Sequence, residues 1–234
     1  MYQVALGGAV CAACALMGYA VRSRSSTLLG PSVYRGCRHR RSIALTFDDG
    51  PSEGTNQLLD ILNHYRTPAT FFVCGMNVQR LPGVTRAVAT AGHEIGNHTR
   101  SHAALYLRSP SFVAEELSAA QTIIADETGA APRLFRAPFG ARWFGLREAQ
   151  RRLSLLGVMW TVTGRDWKLS SVEIERRVVA GAENGAIVCL HDGRGVSAKP
   201  DIGATLEAVG RIIPVLQARG FTFETVSQLL CPTN

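Results

Sequence analysis

A chain of 234 residues, 46% hydrophobic and 18% charged, is long enough to bury a full core and too apolar to be intrinsically disordered. Its formal charge of +7 invites a nucleic-acid partner, but the distribution of that charge argues against one. Residues 1–41 hold six arginines (Arg22, Arg24, Arg35, Arg38, Arg40 and Arg41) and no acid; removing those six from the 25 basic residues leaves 19 against 18 acidic ones, so residues 42–234 form a near-neutral domain behind a basic leader.

In that leader, Val4 to Val21 is uncharged and rich in alanine and glycine, about the length of a short membrane span. Three readings are open: an uncleaved anchor, a cleaved signal with Gly18-Tyr19-Ala20 as the cleavage site, and a soluble leader. The arginines follow the apolar run and none precedes it. By the positive-inside rule this order holds the domain in the cytoplasm, opposite to an exported enzyme, so the side of the membrane stays open. A basic leader suits an anionic membrane surface or a cell wall. Of the six cysteines, Cys74 and Cys189 lie in apolar runs and read as buried thiols. Cys37 and Cys231 flank the domain and pair if its ends meet. No Cys-x-x-Cys unit has a second such unit to complete a cysteine zinc site.

From residue 42 short apolar runs rich in β-formers alternate with longer segments of helical period. Strands are predicted at 42–47, 70–74, 93–97, 133–136, 157–162, 185–190 and 220–223, and helices at 55–66, 82–91, 110–128, 144–156, 171–183 and 202–218. The helix over 110–128 has Ser109-Pro110 at its start and Gly129 after its end. Pro214 should kink or split the last helix. The alternation predicts the α/β class with a mainly parallel sheet, either doubly wound or a barrel, and in both the ligands meet the C-terminal ends of the strands. No Gly-x-Gly-x-x-Gly or Walker-type loop supports a nucleotide cofactor.

Polar residues gather just after those strands. The first ends in Asp48 and Asp49, the third leads to His98 and His102, the fourth to Arg136, the fifth to Asp166 and Trp167, and the sixth to His191 and Asp192. Adjacent carboxylates in a poorly solvated place repel unless a cation lies between them. His98 and His102 at i, i+4 share one face of a helical turn, a spacing that suits two ligands of a tetrahedral metal with one aspartate as the third. The opposing reading is a solvated Asp-Gly-Pro turn and two surface histidines.

In order, the stretches "TFDDG", "HTRSH", "RAPFG", "RDW" and "VCLHD" resemble the five motifs of the polysaccharide deacetylase family, the family of the NodB homology domain and of carbohydrate esterase family 4. The resemblance runs from about Ile43 to Leu230. It implies an irregular (β/α) barrel with about seven parallel strands, covering residues 42–234 behind the leader and linker of 1–41. It further implies metal ligation by Asp49, His98 and His102, and catalytic roles for four residues. Asp48 would be the general base, Arg136 its ion-pair partner, His191 the general acid, and Asp166 the carboxylate that favours the protonated imidazole. Phe139 would contribute a backbone N–H to the oxyanion, and Trp167 would line the sugar groove. Ala137 stands where the family commonly has proline, Thr163 where it often has a second acid, and Val188 where it has leucine. Val188 and Leu190 are the candidates for the pocket that takes the acyl methyl.

The implied activity is hydrolytic deacetylation of N-acetylated amino sugars in a cell-envelope polysaccharide such as peptidoglycan. One divalent ion would serve it, zinc first, with Co2+, Mn2+, Ni2+ or Fe2+ also suited to the donor set. The implied partner is an N-acetylated glycan and not nucleic acid. The implied location is the cell envelope, with residues 4–21 as anchor or signal. Two alternatives are a deacylase of a lipid-linked sugar or small amide, and a catalytically inactive glycan-binding protein.

Overall fold

The computed structural model describes residues 2–230, and of residues 2–7 and 9 only the backbone. Among the described residues the strands are β1 (Ser32–Val33), β2 (Ser42–Asp48), β3 (Thr70–Val73), β4 (Glu94–Asn97), β5 (Leu134–Phe135), β6 (Leu156–Val158), β7 (Val162–Thr163), β8 (Ala186–His191) and β9 (Thr222–Phe223). They form one sheet in the order β1-β6-β5-β4-β3-β2-β8-β7, with β9 pairing the start of β2, and every pair of these strands is parallel. The sheet curls into an incomplete barrel with helices around it, the α/β barrel class expected from the sequence. Strand β2 is buried at all seven positions, as a strand covered on both faces must be.

Alternation along the strands sets what faces where. On β2, Ile43, Leu45 and Phe47 join Val188 and Leu190 of β8 in the large core under the helices. Ala44 and Ile187 point the other way, into the barrel, with Phe72, Leu134 and Val158. Val226 and Leu229 of the short helix near the C-terminus pack against that inner cluster. Asp48 lies on the same inner face as Ala44 by the period of two, and its register partner on β8 is His191. The chain thus delivers both residues side by side at the sheet's C-terminal edge.

The helices are α1 (Tyr2–Arg22), α2 (Thr55–His64), α3 (Gly75–Arg80), α4 (Pro82–Thr90), α5 (Pro110–Thr128), α6 (Leu146–Leu153), α7 (Ser171–Gly181), α8 (Gly203–Ala218) and α9 (Val226–Leu230). The predicted helix over 110–128 is α5, capped by the Ser109 hydroxyl, which accepts from the N–H of Phe112, and closed by Gly129 in the left-handed region. Other features differ from the prediction, and the short helices α3 and α9 were not predicted. The run 157–162 is two strands, β6 and β7, which belong to opposite ends of the sheet order. The two-residue β1 pairs β6 and was too short to register as a period. Helix α8 runs through Pro214 unbroken. Proline removes the N–H that would bond the carbonyl four residues back. That residue is Gly210, whose carbonyl instead accepts the Tyr65 hydroxyl at 3.2 Å.

The end of the leader packs on the domain. Ala20, Val21 and Leu29 are buried against Ala141, with Trp143 alongside. Arg142 is buried. Its guanidinium donates to the carbonyls of Ser23 and Ser26 and to the Ser32 hydroxyl, and so clamps the segment that follows α1. Residues 4–7 and 9 of the apolar run fall outside the described side chains, and among the described residues no helix is long and apolar enough to cross a membrane. The proposed pairing of Cys37 involves Cys231, which lies outside the described residues.

Candidate active site

The two neighbouring carboxylates at the end of β2 do not face each other. Asp49 takes φ of 72°, the left-handed region, which turns it away from Asp48. Three contacts hold this turn. The Asn77 amide of α3 donates to the Asp49 carbonyl at 2.6 Å, the Gly195 N–H donates to Asp49 Oδ2 at 2.8 Å, and Gly193 passes so close that a Cβ there would meet the Asp49 carbonyl oxygen at 2.3 Å. Asn77 and the two glycines carry no metal-binding signature in the sequence, and they fix Asp49 by backbone approach.

Asp49 Oδ1 lies 3.2 Å from His98 Nε2 and 3.0 Å from His102 Nε2. The histidines converge without a helix. β4 ends at Asn97, and residues 98–102 form an irregular loop in which Thr99 and His102 have φ of 68° and 56°. The i, i+4 spacing was the right signal and the helical turn the wrong cause. The loop is tied down from several sides: Asn97 Oδ1 accepts the Thr99 N–H, and Glu116 of α5 accepts both the N–H and the hydroxyl of Ser101. His93 and Glu94 sit at the other end of β4, where Glu94 accepts from Thr70 and Ser227.

The donors fit a divalent cation. His98 Nδ1 is 2.8 Å from the Arg136 carbonyl, an arrangement in which Nδ1–H donates and Nε2 keeps its lone pair. A lone pair on His98 Nε2 facing a carboxylate oxygen repels it unless a cation lies between them. Asp49 Oδ1 is buried and has no hydrogen-bond partner. Imidazolium N–H groups can take the place of a cation there: burial alone would raise the Asp49 pKa, and the hydrogen bonds and charges of His102 and His98, when these are protonated, outweigh it and hold this carboxyl far below the usual range. One carboxylate oxygen and two imidazole nitrogens within 4.8 Å of one another make a three-ligand set of the kind that binds zinc and its neighbours in the first transition row.

Beside this triad Asp48 Oδ1 accepts from Arg136 Nη1 at 2.6 Å. Arg136 is fully buried: it also donates to the Thr46 hydroxyl and to the carbonyls of Val158 and Met159, and it stacks over the Phe72 ring. A buried pair fixed this completely holds Asp48 in one orientation. Cys189, whose thiol is 3.5 Å from Asp48 Oδ2, is kept protonated by burial and then by the Asp48 charge.

Across the cleft His191 Nδ1 is 2.8 Å from Asp166 Oδ1, while Asp166 Oδ2 accepts the His191 N–H and the Thr205 hydroxyl. Burial works to lower the His191 pKa, but the Asp166 hydrogen bond and the charges of Asp166, Asp48 and Asp49 outweigh it and raise it. Asp192, next in sequence, is wholly buried and accepts the Thr55 hydroxyl at 2.6 Å; burial, with the Asp49 and Asp48 charges, pushes its carboxyl up to about 7. It supports the turn from below.

The cleft has a volume of about 620 Å3. It gathers Asp48, Asp49, His98, His102, Phe139, Trp167 and His191, with Asp166 and Arg136 just behind. Phe139, at φ of 58°, is exposed and packs edge-on against His102; Trp167 packs edge-on against His191. Val188 and Leu190 are not there, which corrects their assignment to the acyl pocket. Both are fully buried on the helix-facing side of β8, and the strand period places Cys189 in the cleft in their stead. Trp160 packs on the inner core and also lines the cleft.

The sequence profile for polysaccharide deacetylase matches residues 35–158. The chain belongs to the polysaccharide deacetylase family. It is 38% identical over 198 residues to a chitooligosaccharide deacetylase of Bradyrhizobium sp. (strain ANU 289), covering 81% of this chain and 90% of the relative. It is 36% identical over 196 residues to a peptidoglycan-N-acetylglucosamine deacetylase of Bacillus cereus, covering 82% and 89%. Among solved structures it is similar to the peptidoglycan deacetylase PdaC from Bacillus subtilis, with TM-score 0.72 and 34% identity over 82% of this chain and 91% of that one. It is also similar to a CE4 family pseudoenzyme from Bacillus anthracis, with TM-score 0.79 and 25% identity over 87% and 70%. As a polysaccharide deacetylase the protein is an enzyme that hydrolyses carbon–nitrogen amide bonds outside peptides.

Proposed function

We propose that this polysaccharide deacetylase removes acetyl groups from N-acetylated amino sugars of a cell-envelope polysaccharide such as peptidoglycan, with one divalent ion, zinc in the first place, held by Asp49, His98 and His102. The observation that carries the reading is the juxtaposition, in one open cleft, of that triad with the Asp48–Arg136 pair and the Asp166–His191 pair. When bound, the ion supplies Lewis acidity, polarising an acyl oxygen and making water more acidic. Asp48, oriented by Arg136, takes a proton from the attacking water. The backbone N–H of Phe139 would donate to the oxygen on which charge develops. His191, kept charged by Asp166, gives its Nε2 proton to the departing nitrogen, without which an amine is a poor leaving group. Trp167 offers a flat apolar face to the sugar.

A glycan of the envelope is favoured by the relatives named for peptidoglycan and by the basic leader, and the apolar run 4–21 would hold the enzyme there as anchor or signal. A lipid-linked sugar or small amide would call for a more enclosed site than this one. A catalytically inactive glycan-binding role is not supported, since each position that the chemistry needs is filled. Acetate release from a panel of N-acetylated oligosaccharides and peptidoglycan fragments, before and after chelation and metal restoration, tests the reading. Release that depends on metal is expected, and no release from any member of the panel overturns it.

A further inference from the structure

The catalytic cleft adjoins a second cavity of about 750 Å3, and the two share Trp160 and Thr163 in their walls. Three arginines line this cavity: Arg24 from the linker, and Arg176 and Arg177 from α7. Arg24 donates to the carbonyls of Trp160 and Thr161, and Arg177 Nε donates to the Thr163 carbonyl at 2.7 Å, so both guanidinium planes are pinned against the shared wall. Arg176 is exposed and has no hydrogen-bond partner among the described residues. The single acid in the lining, Glu173, caps α7, where its carboxylate accepts the N–H and the hydroxyl of Ser170, and the Arg176 charge also acts on it. On the catalytic side of the shared wall Arg22 and Arg165 add two further exposed guanidiniums, and the lining there has no acid besides Asp48 and Asp49.

Clustered guanidiniums repel one another, and one carboxylate, Glu173, faces three of them. Their planar, multi-donor heads match carboxylate and phosphate oxygens. The aromatic face of Trp160 between the two cavities suits a sugar ring. We propose that the second cavity is a subsite for an anionic substituent, a carboxylate or a phosphate, on the sugar next to the one being deacetylated. The inference rests on the deacetylase reading and narrows its substrate to an acidic glycan.

The test uses the full chain with metal restored and three matched N-acetylglucosamine oligosaccharides: neutral, bearing carboxylate ethers on alternate residues, and bearing phosphate esters on them. Acetate release gives kcat/KM, and calorimetry gives affinity. One charged series is expected to be preferred over the neutral one in both readouts, and which series it is identifies the anion. Arg176→Glu should cut the charged-over-neutral ratio by about ten-fold, the loss expected for one charge-assisted contact. Added salt, which needs no variant, should lower the same ratio. Equal affinity of the unmodified enzyme for charged and neutral oligosaccharides, or a ratio unmoved by Arg176→Glu, overturns the subsite. Binding that prefers the charged series while no substrate releases acetate sinks the deacetylase reading and leaves the subsite standing.

Discussion

Two aspartates that are neighbours in sequence end up with different partners because one backbone torsion separates them. Asp48 stays on the strand and meets Arg136; Asp49 turns through φ of 72° and meets two imidazoles. This division predicts a separation of phenotypes. Asp48→Asn should retain one equivalent of metal, measured by elemental analysis, yet lose about two to four decades of kcat, the usual contribution of a positioned base. A variant with full activity would show that the proton goes elsewhere. The His191 pair makes a prediction in pH. A general acid works only while protonated, so activity should fall as pH rises through the raised His191 pKa. Asp166→Asn removes the carboxylate that outweighs burial, so the pKa falls and the alkaline limb of the kcat profile moves to lower pH. An alkaline limb that stays in place while activity drops would make Asp166 structural only.

At the scale of elements, the site depends on loops that the sheet leaves at its C-terminal edge and that other elements pin. The loop 98–102 has no helical hydrogen bonds of its own; Glu116 of α5 substitutes for them at Ser101. Glu116→Ala leaves that N–H unpaired and loosens His102, so metal affinity should weaken by about 10- to 100-fold, as when other supports of ligating groups are lost. Titration of the apo protein with zinc against a chelating indicator reads this directly, and unchanged affinity would mean the loop holds its shape without α5. Glu116 also marks the limit of what the sequence discloses. The strands that bear Asp48 and His191 and the helix over 110–128 are legible because burial imposes their period. The residues of the cleft are legible as an ordered set of motifs. Nothing local announces that a glutamate in mid-helix serves a loop fifteen residues earlier, or that Thr205 of α8 bonds Asp166. The displacement of Val188 and Leu190 from the cleft is different, because the period of two was available: with His191 facing inward, 189 also faces inward and 188 and 190 cannot.

For the whole molecule, the triad ties together the tips of β2 and β4, which are not adjacent in the sheet because β3 lies between them. Without a cation or an added proton the fold holds the His98 Nε2 lone pair against a carboxylate oxygen at 3.2 Å in a buried place, a standing repulsion that opposes the native state. A cation that binds the folded site, and the unfolded chain far more weakly, removes that repulsion and stabilises the fold by mass action. At a free metal concentration about 100 times the dissociation constant the gain is about 2.7 kcal/mol. For a chain of this size that corresponds to a rise in Tm of roughly 5–10 °C. Chelation should reverse it. Asp49→Asn keeps the shape of the side chain and removes the ligating charge, so its Tm should respond little to zinc, whereas Asp48→Asn should respond as the unmodified protein does. Differential scanning calorimetry of the three proteins with and without chelator distinguishes these cases. Equal shifts in all three would place the stabilising ion somewhere other than Asp49, His98 and His102, and the catalytic assignment built around that triad would fall with it.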